Sequence, residues 1–388
     1  MIFFMSNRIK KIFSVFLSAI ICLSTVTLAM AEDKTPPFDV NAKSAVLMDA
    51  ETGTILYNKN GDEALPPASV TKVMTLLLVM EAIDNGSFKL TDPVTVSDYA
   101  ASMGGSQVFL EPGEEMCVEE MLKCVIIASA NDAAVALAEK TAGSVDEFVR
   151  RMNERAAELG MKNTHFENPT GLDDNVTNHT ISARDIAIMS RELIRHETIL
   201  KYSCIWMDTI RNGEFGLTNT NRLIRFYNGA TGLKTGSTSK AGFCISATAK
   251  RDGMHLIAVI MGSPTRDERN SAAKSLLDYG FAKYCVYTAD GGNAGKVKVI
   301  GGTKDAVQAK YEGLTKLLPA GKKDSVKIEI KLDDKISAPV KEGQRVGAVR
   351  YLLDGEVIGE IPATAAESVP RIGYFRLLYR MLCRFILA

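Results

Sequence analysis

At 388 residues the chain is longer than one ordinary domain, and 46% hydrophobic against 24% charged residues is the balance of a folded globular protein. Those proportions exclude a disordered, collagen-like or multi-span membrane chain. Lys+Arg and Asp+Glu both number 46, so the net charge is zero with His neutral, which argues against nucleic acid as a partner because duplex-binding surfaces carry a basic excess. Arg8, Lys10 and Lys11 precede a run without charge from Ile12 to Ala31, which closes on Ala29-Met30-Ala31 before Glu32. A basic start, an apolar stretch and small residues at its end predict a secretory signal peptide over 1–31, with an uncleaved membrane anchor as the alternative. The protein is therefore expected to be exported.

Two short strands follow, Lys43 to Met48 and Thr54 to Tyr57, joined by Asp49-Ala50-Glu51-Thr52-Gly53 with glycine at a position of positive φ. After Pro66-Pro67 an apolar helix is predicted from Ser69 to about Asp84, stopped by Asn85-Gly86. A second runs from Val118 to Ser129, breaks at Ser129-Ala130-Asn131-Asp132 and resumes through Ala142. Ser144-x-x-Glu147 and Ser182-x-x-Asp185 read as capping starts of two more helices. Gly232 to Ser237, Gly242 to Lys250 and Met254 to Met261 then read as strands, and a helix covers about Asp267 to Ala282. Strands at both ends of 40–282 with helices between them predict an α+β fold: a five-stranded antiparallel sheet, hairpin beside three-stranded meander, with the helical block packed against it. From Val286 to about 365, alternating segments such as Val326-Lys327-Ile328-Glu329-Ile330 predict a smaller all-β domain.

In the last twenty residues, 369–388, Arg376, Arg380 and Arg384 share one helical stripe while Phe375, Leu378, Leu382, Phe385 and Ile386 fall on the opposite side. Internal arginines make a poor bilayer span, whereas an interfacial helix suits this pattern, with the basic side chains meeting anionic headgroups. A helix docked on the protein's own core is the alternative. Of seven cysteines, the six beyond the leader (Cys117, Cys124, Cys204, Cys244, Cys285 and Cys383) show no paired framework, and Cys124 and Cys244 read as small core residues. The four histidines are scattered, with no HExxH and no CxxC, so no metal-ligand spacing is present.

Three short motifs carry the chemistry. Ser69-Val70-Thr71-Lys72 sets a hydroxyl and an amine three residues apart at a helix start, where residues i and i+3 share a face. A serine is a weak nucleophile without an adjacent base, and a lysine is such a base only if burial or a neighbouring cation lowers its pKa. Ser129-Ala130-Asn131 lies at the interhelix break, where polar side chains can enter a cleft, and Lys234-Thr235-Gly236 lies on a strand whose glycine would let another backbone approach. Each has an ordinary reading taken singly: helix capping, a solvated lysine, a turn. In this order, on helix, break and strand, the set is specific.

With that set in place, the chain resembles the low-molecular-weight penicillin-binding proteins that are D-alanyl-D-alanine carboxypeptidases. The likeness extends to Asn163-Thr164-His165-Phe166, Gly171-Leu172 and Ser182-Ala183-Arg184-Asp185, and to the layout of a trailing β domain and amphipathic tail. It implies a β-lactamase/transpeptidase-like domain over 32–282, with Ser69 as acyl-ester nucleophile and Lys72 as its base. Ser129 would relay a proton and Asn131 hold Lys72 or the substrate amide. Lys234 and Thr235 would receive the terminal carboxylate, and the N–H groups of Ser69 and Ser237 would form the oxyanion hole. Gly104-Gly105-Ser106 looks like the family's rim loop. The implied partners are peptidoglycan stem peptides ending in D-Ala-D-Ala, with β-lactams as covalent inhibitors and the membrane surface at the tail. No cofactor or metal is implied. A Ser-His-Asp hydrolase is disfavoured because no G-x-S-x-G occurs. A class A β-lactamase would want an E-x-x-L-N stretch that is absent, and a non-catalytic binder of peptidoglycan stems would have no use for an intact Ser69, Lys72 and Lys234.

Overall fold

The structure, a computed structural model, describes residues 39–174 and 176–386; the leader expected over 1–31 and the side chains of Arg384, Phe385 and Ile386 lie outside the described residues. Strands β1 (Ser44–Asp49), β2 (Ile55–Lys59), β3 (Ala230–Thr238), β4 (Gly242–Arg251) and β5 (Met254–Ser263) form one antiparallel sheet in the order β3-β4-β5-β1-β2. The hairpin and the meander thus meet along β1 and β5, from Ser44 opposite Met261 to Asp49 opposite Leu256. The β4–β5 turn has both central residues, Asp252 and Gly253, at positive φ, the type I′ geometry that Asp-Gly favours.

Helices α1 (Lys72–Asp84), α2 (Val118–Ile127), α3 (Asn131–Ala142), α4 (Val145–Glu158) and α5 (Ala183–Leu193) make the block on one face, where they meet Val46, Met48, Ile257 and Val259. Helix α6 (Arg266–Lys283) covers the other face: a Cβ on Gly280 would lie 2.5 Å from Leu256 and 3.1 Å from Leu47. Covered on both sides, β1 is buried at all six positions, so its apolar run is continuous rather than alternating. Ser144 and Ser182 cap α4 and α5 by accepting from the N–H groups of Glu147 and Asp185. The helix predicted from Ser69 begins instead as a 3₁₀ turn, Ala68–Thr71, and becomes α-helical at Lys72. It ends as its Asn-Gly signal predicts, with Gly86 at φ +79° and the N–H of Ser87 returning to Ala82.

Beyond α6 a six-stranded sheet has the order Lys327–Leu332, Arg345–Leu353, Glu356–Ala365, Ala306–Tyr311, Gly292–Ile300, Lys335–Ser337, antiparallel except for the last pair. Its core centres on Val297, Val307, Val346, Val349 and Tyr351. Helix α7 (Tyr374–Ile386) ends the described chain, with Phe375, Leu378 and Leu382 exposed. Arg380 departs from the stripe expected to face headgroups: its guanidinium pairs with Asp305 at 3.0 Å and reaches Gly302 O at 3.5 Å, because α7 lies against the 301–305 turn. Among the described residues no helix is long and apolar enough to cross a membrane. The six cysteines of the described region are free thiols, with Cys124 and Cys244 buried.

Candidate active site

Ser69 sits inside the 3₁₀ turn and Lys72 opens α1, so one tight turn carries both. Lys72 is wholly buried, and its Nζ lies 3.1 Å from Ser69 Oγ, 2.5 Å from Asn131 Oδ1 and 2.8 Å from the Thr170 carbonyl. The Asn131 amide is oriented by its own Nδ2, which donates to Gly104 O at 2.7 Å, so its oxygen faces the amine. Two pure acceptors therefore match the two N–H bonds of a neutral amine. Its lone pair is left for the third neighbour, the Ser69 hydroxyl, whose proton it can accept.

The electrostatics favour that neutral form. Burial, then the charge of Lys234, hold Lys72 well below the ordinary lysine range, with Asp132 pulling weakly the other way. Asp132 is itself buried, and accepts from the N–H groups of Val108, Leu110 and Ala133 at 3.0, 3.1 and 2.9 Å. Lys234, on β3, is pushed down to about 7 by burial and by the guanidinium of Arg269. Cations crowded into one buried crevice thus act in a chain, Arg269 disfavouring charge on Lys234 and Lys234 disfavouring it on Lys72.

Strand β3 presses directly on the nucleophile turn. A Cβ on Gly236 would lie 2.8 Å from the Ser69 nitrogen and 3.0 Å from Pro67 O, so glycine is required for this contact. The same need appears at Gly171, where φ is +80° and a Cβ would fall 1.8 Å from Ala68 O. A cavity of about 190 Å³ opens above the turn, lined by Ser69, Ser129, Thr235, Ser237, Arg266 and Arg269. Ser129, between α2 and α3 at φ +66°, reaches it because the helix breaks there. Thr235 Oγ1 donates to Thr220, which also lines the cavity.

All seven residues singled out by their motifs therefore converge on one crevice: Ser69, Lys72, Ser129, Asn131, Lys234, Thr235 and Ser237. Its hydroxyls, amine and cations suit a ligand bearing a reactive carbonyl and a carboxylate. The motifs left several neighbours unseen. Arg269 is buried, and among the described residues no ion pair ties it to a carboxylate. Nothing periodic in the sequence marks it. The Thr170 carbonyl is a backbone group, though Asn168-Pro169-Thr170-Gly171 has the composition of a turn, and Asn168 Oδ1 closes that turn on the N–H groups of Thr170 and Gly171. The rim loop packs on the site: Ser106 O accepts from the Asn131 N–H and Ser106 lines the cavity.

Residues 30–265 match the family described as D-alanyl-D-alanine carboxypeptidase, and residues 286–371 match the C-terminal domain of penicillin-binding protein 5. The chain is 45% identical to the D-alanyl-D-alanine carboxypeptidase DacF of Bacillus subtilis, over 96% of this chain and 98% of that one. Penicillin-binding protein 5 from Haemophilus influenzae superposes with a TM-score of 0.76 at 34% identity, covering 87% of this chain and all of that one. Penicillin-binding protein D2 from Listeria monocytogenes, in its ampicillin-bound form, superposes at 0.58 with 30% identity, over 63% of this chain and all of that one. Motifs, crevice and relatives agree, and the chain belongs to the D-alanyl-D-alanine carboxypeptidase family.

Proposed function

We propose that this D-alanyl-D-alanine carboxypeptidase removes the terminal D-alanine of peptidoglycan pentapeptide stems through an acyl-enzyme on Ser69. Lys72 takes the Ser69 proton as Oγ attacks the carbonyl between the two D-alanines. The N–H groups of Ser69 and Ser237 receive the developing oxyanion, whose stabilisation is worth roughly 3–4 kcal/mol per donor. The proton moves from Lys72 through Ser129 to the leaving nitrogen, D-alanine departs as the C–N bond breaks, and water, deprotonated by the same amine, releases the shortened stem. Asn131 holds Lys72 in place. Lys234, Thr235 and the arginines beside them hold the substrate carboxylate. The observation that carries this reading is the pairing of a buried Lys72 amine with two acceptors and the Ser69 hydroxyl.

A β-lactam offers a similar carbonyl and carboxylate, and the ampicillin-bound form of the Listeria relative supports its use as a covalent probe. Intact-protein mass spectrometry after incubation with penicillin should show one adduct mapped to Ser69. Muropeptide analysis should show loss of a single terminal alanine, and Ser69→Ala should abolish both. An unlabelled wild-type protein would end this reading.

We further infer that 1–31 is a cleaved leader, that 32–282 and 286–365 are the peptidase and β domains, and that 369–388 holds the exported protein to the outer face of the cytoplasmic membrane. The exposed Phe375, Leu378 and Leu382 of α7 support the last point. Deleting 369–388 should move the protein from the membrane fraction to the soluble one; continued sedimentation with membranes would contradict it.

A further inference from the structure

The turn that carries Ser69 has only a light backbone frame of its own: the Val70 N–H reaches Pro67 O at 3.3 Å, and the Lys72 N–H returns to Ser69 O and Val70 O. Ala68 has φ +50°, a region that costs a non-glycine residue about 1 kcal/mol or more, and Pro67 supplies no side-chain cap. A side chain within the turn adds to that frame, and one from outside holds that side chain in place. Thr71 Oγ1 donates to Ala68 O at 2.9 Å, across the strained residue. A hydroxyl has one proton, and that bond uses it. His179 Nε2, 2.8 Å from the same oxygen, is therefore the donor to Thr71. The other ring nitrogen, Nδ1, accepts from the N–H of Glu167 at 3.0 Å. These two partners fix a neutral imidazole with its proton on Nε2.

The surroundings hold it there. His179 is buried, with the edge of Phe166 against it at a centroid distance of 5.9 Å. Burial, helped by the charge of His165, outweighs the pull of Glu167 and Asp173 toward the charged ring and leaves its pKa at about 4. Glu167 cannot swing toward the ring freely, since its carboxylate accepts from the N–H groups of Thr177 and Asn178. The same segment grips α1 at two more points, through Thr75 Oγ1 to Pro169 O at 2.6 Å and Lys72 Nζ to Thr170 O.

We propose that His179 is a positioning residue for the nucleophile: by donating from Nε2 to Thr71 and accepting from Glu167, it locks the Ala68–Thr71 turn that aims Ser69 at the substrate carbonyl. It touches neither substrate nor the reacting atoms, and the inference rests on Ser69 being the nucleophile. Misaiming a nucleophile by a fraction of an ångström slows attack far more than it weakens binding.

The test is the rate at which a fluorescent penicillin acylates His179→Gln, His179→Asn, His179→Ala and Thr71→Val, at a temperature where circular dichroism shows each folded. A glutamine amide N–H reaches the place of Nε2 and keeps the bond to Thr71. An asparagine oxygen reaches the place of Nδ1 and keeps only the bond from Glu167. His179→Ala should slow acylation between about tenfold and a hundredfold with little change in penicillin affinity. His179→Gln should recover most of the rate and His179→Asn should not. Thr71→Val should match His179→Ala, and the double variant should be no slower than either. Wild-type rates in His179→Ala, equal rescue or equal failure of Gln and Asn, or additive losses in the double variant would each overturn the proposal. Should His179→Ala not fold, the Gln/Asn pair and Thr71→Val carry the test. A wild-type protein that takes no label would instead fail the Ser69 reading, which separates the two.

Discussion

The two largest sheets among the described residues treat charge in opposite ways. In the five-stranded region, lysine, arginine and aspartate side chains are taken out of water: Lys72, Lys234, Asp132 and Arg269 are all buried. In the six-stranded region the charges stay outside, as in Arg350 and Arg345 around Glu360, or Lys322 with Asp354. Every buried Lys, Arg, Asp, His, Asn, Ser or Thr side chain among the described residues lies between 44 and 269. Burying an ion costs several kcal/mol unless partners compensate, so a chain concentrates that cost where perturbed protonation is useful. The first region is built to hold an amine neutral and cations close to it; the second is an ordinary half-solvated sheet.

Substitutions can break that contrast, in decreasing order of effect. Lys72→Met keeps the volume but cannot accept a proton, and should slow Ser69 acylation by roughly 10³-fold or more, read with labelled penicillin. Gly171→Ala forces a Cβ into Ala68 O from a left-handed backbone; we expect a loss of about 2 kcal/mol or more in denaturant unfolding and a large loss of label.

Lys234 should set a pH limb. Its charge, needed for the substrate carboxylate, is lost above about 7 in the free enzyme, so kcat/KM should fall on the alkaline side from there. Lys234→Arg cannot lose its proton in this range and should shift that limb upward. Stability has its own sign. The folded pKa lies below the unfolded one, so the unfolded chain binds more protons between about 7 and 10.5. Stability therefore rises with pH across that window, and the rise should flatten in Lys234→Arg. At the other extreme, Glu360→Gln should leave acylation unchanged and the Tm nearly so, because its ion pairs with Arg345 and Arg350 are solvent-screened.

What could be read from residues alone follows the same division. The meander was legible because Arg251-Asp252-Gly253 and the long β-branched runs state a hairpin locally, and the three motifs because each combines residue types that chemistry pairs. The 3₁₀ start of α1 was not legible, since it depends on Ala68 at φ +50° and on a brace from His179, 108 residues away. Arg269 and Asp132 were missed for a related reason: a buried charge looks like any other until its solvent is gone. Ala306–Tyr311 also escaped, because its neighbours in the six-stranded sheet supply the burial that a short, lysine-containing strand does not announce.

The most direct test is the titration of one side chain. In ¹³Cε/¹⁵Nζ-lysine NMR of the free protein, with the Lys72 resonance assigned through Lys72→Arg, the signal should lose its proton well below the ordinary 10.5 of lysine, and rise toward that value when Lys234 is replaced by methionine. A Lys72 amine that titrates near 10.5, indifferent to residue 234, would leave Ser69 without its base.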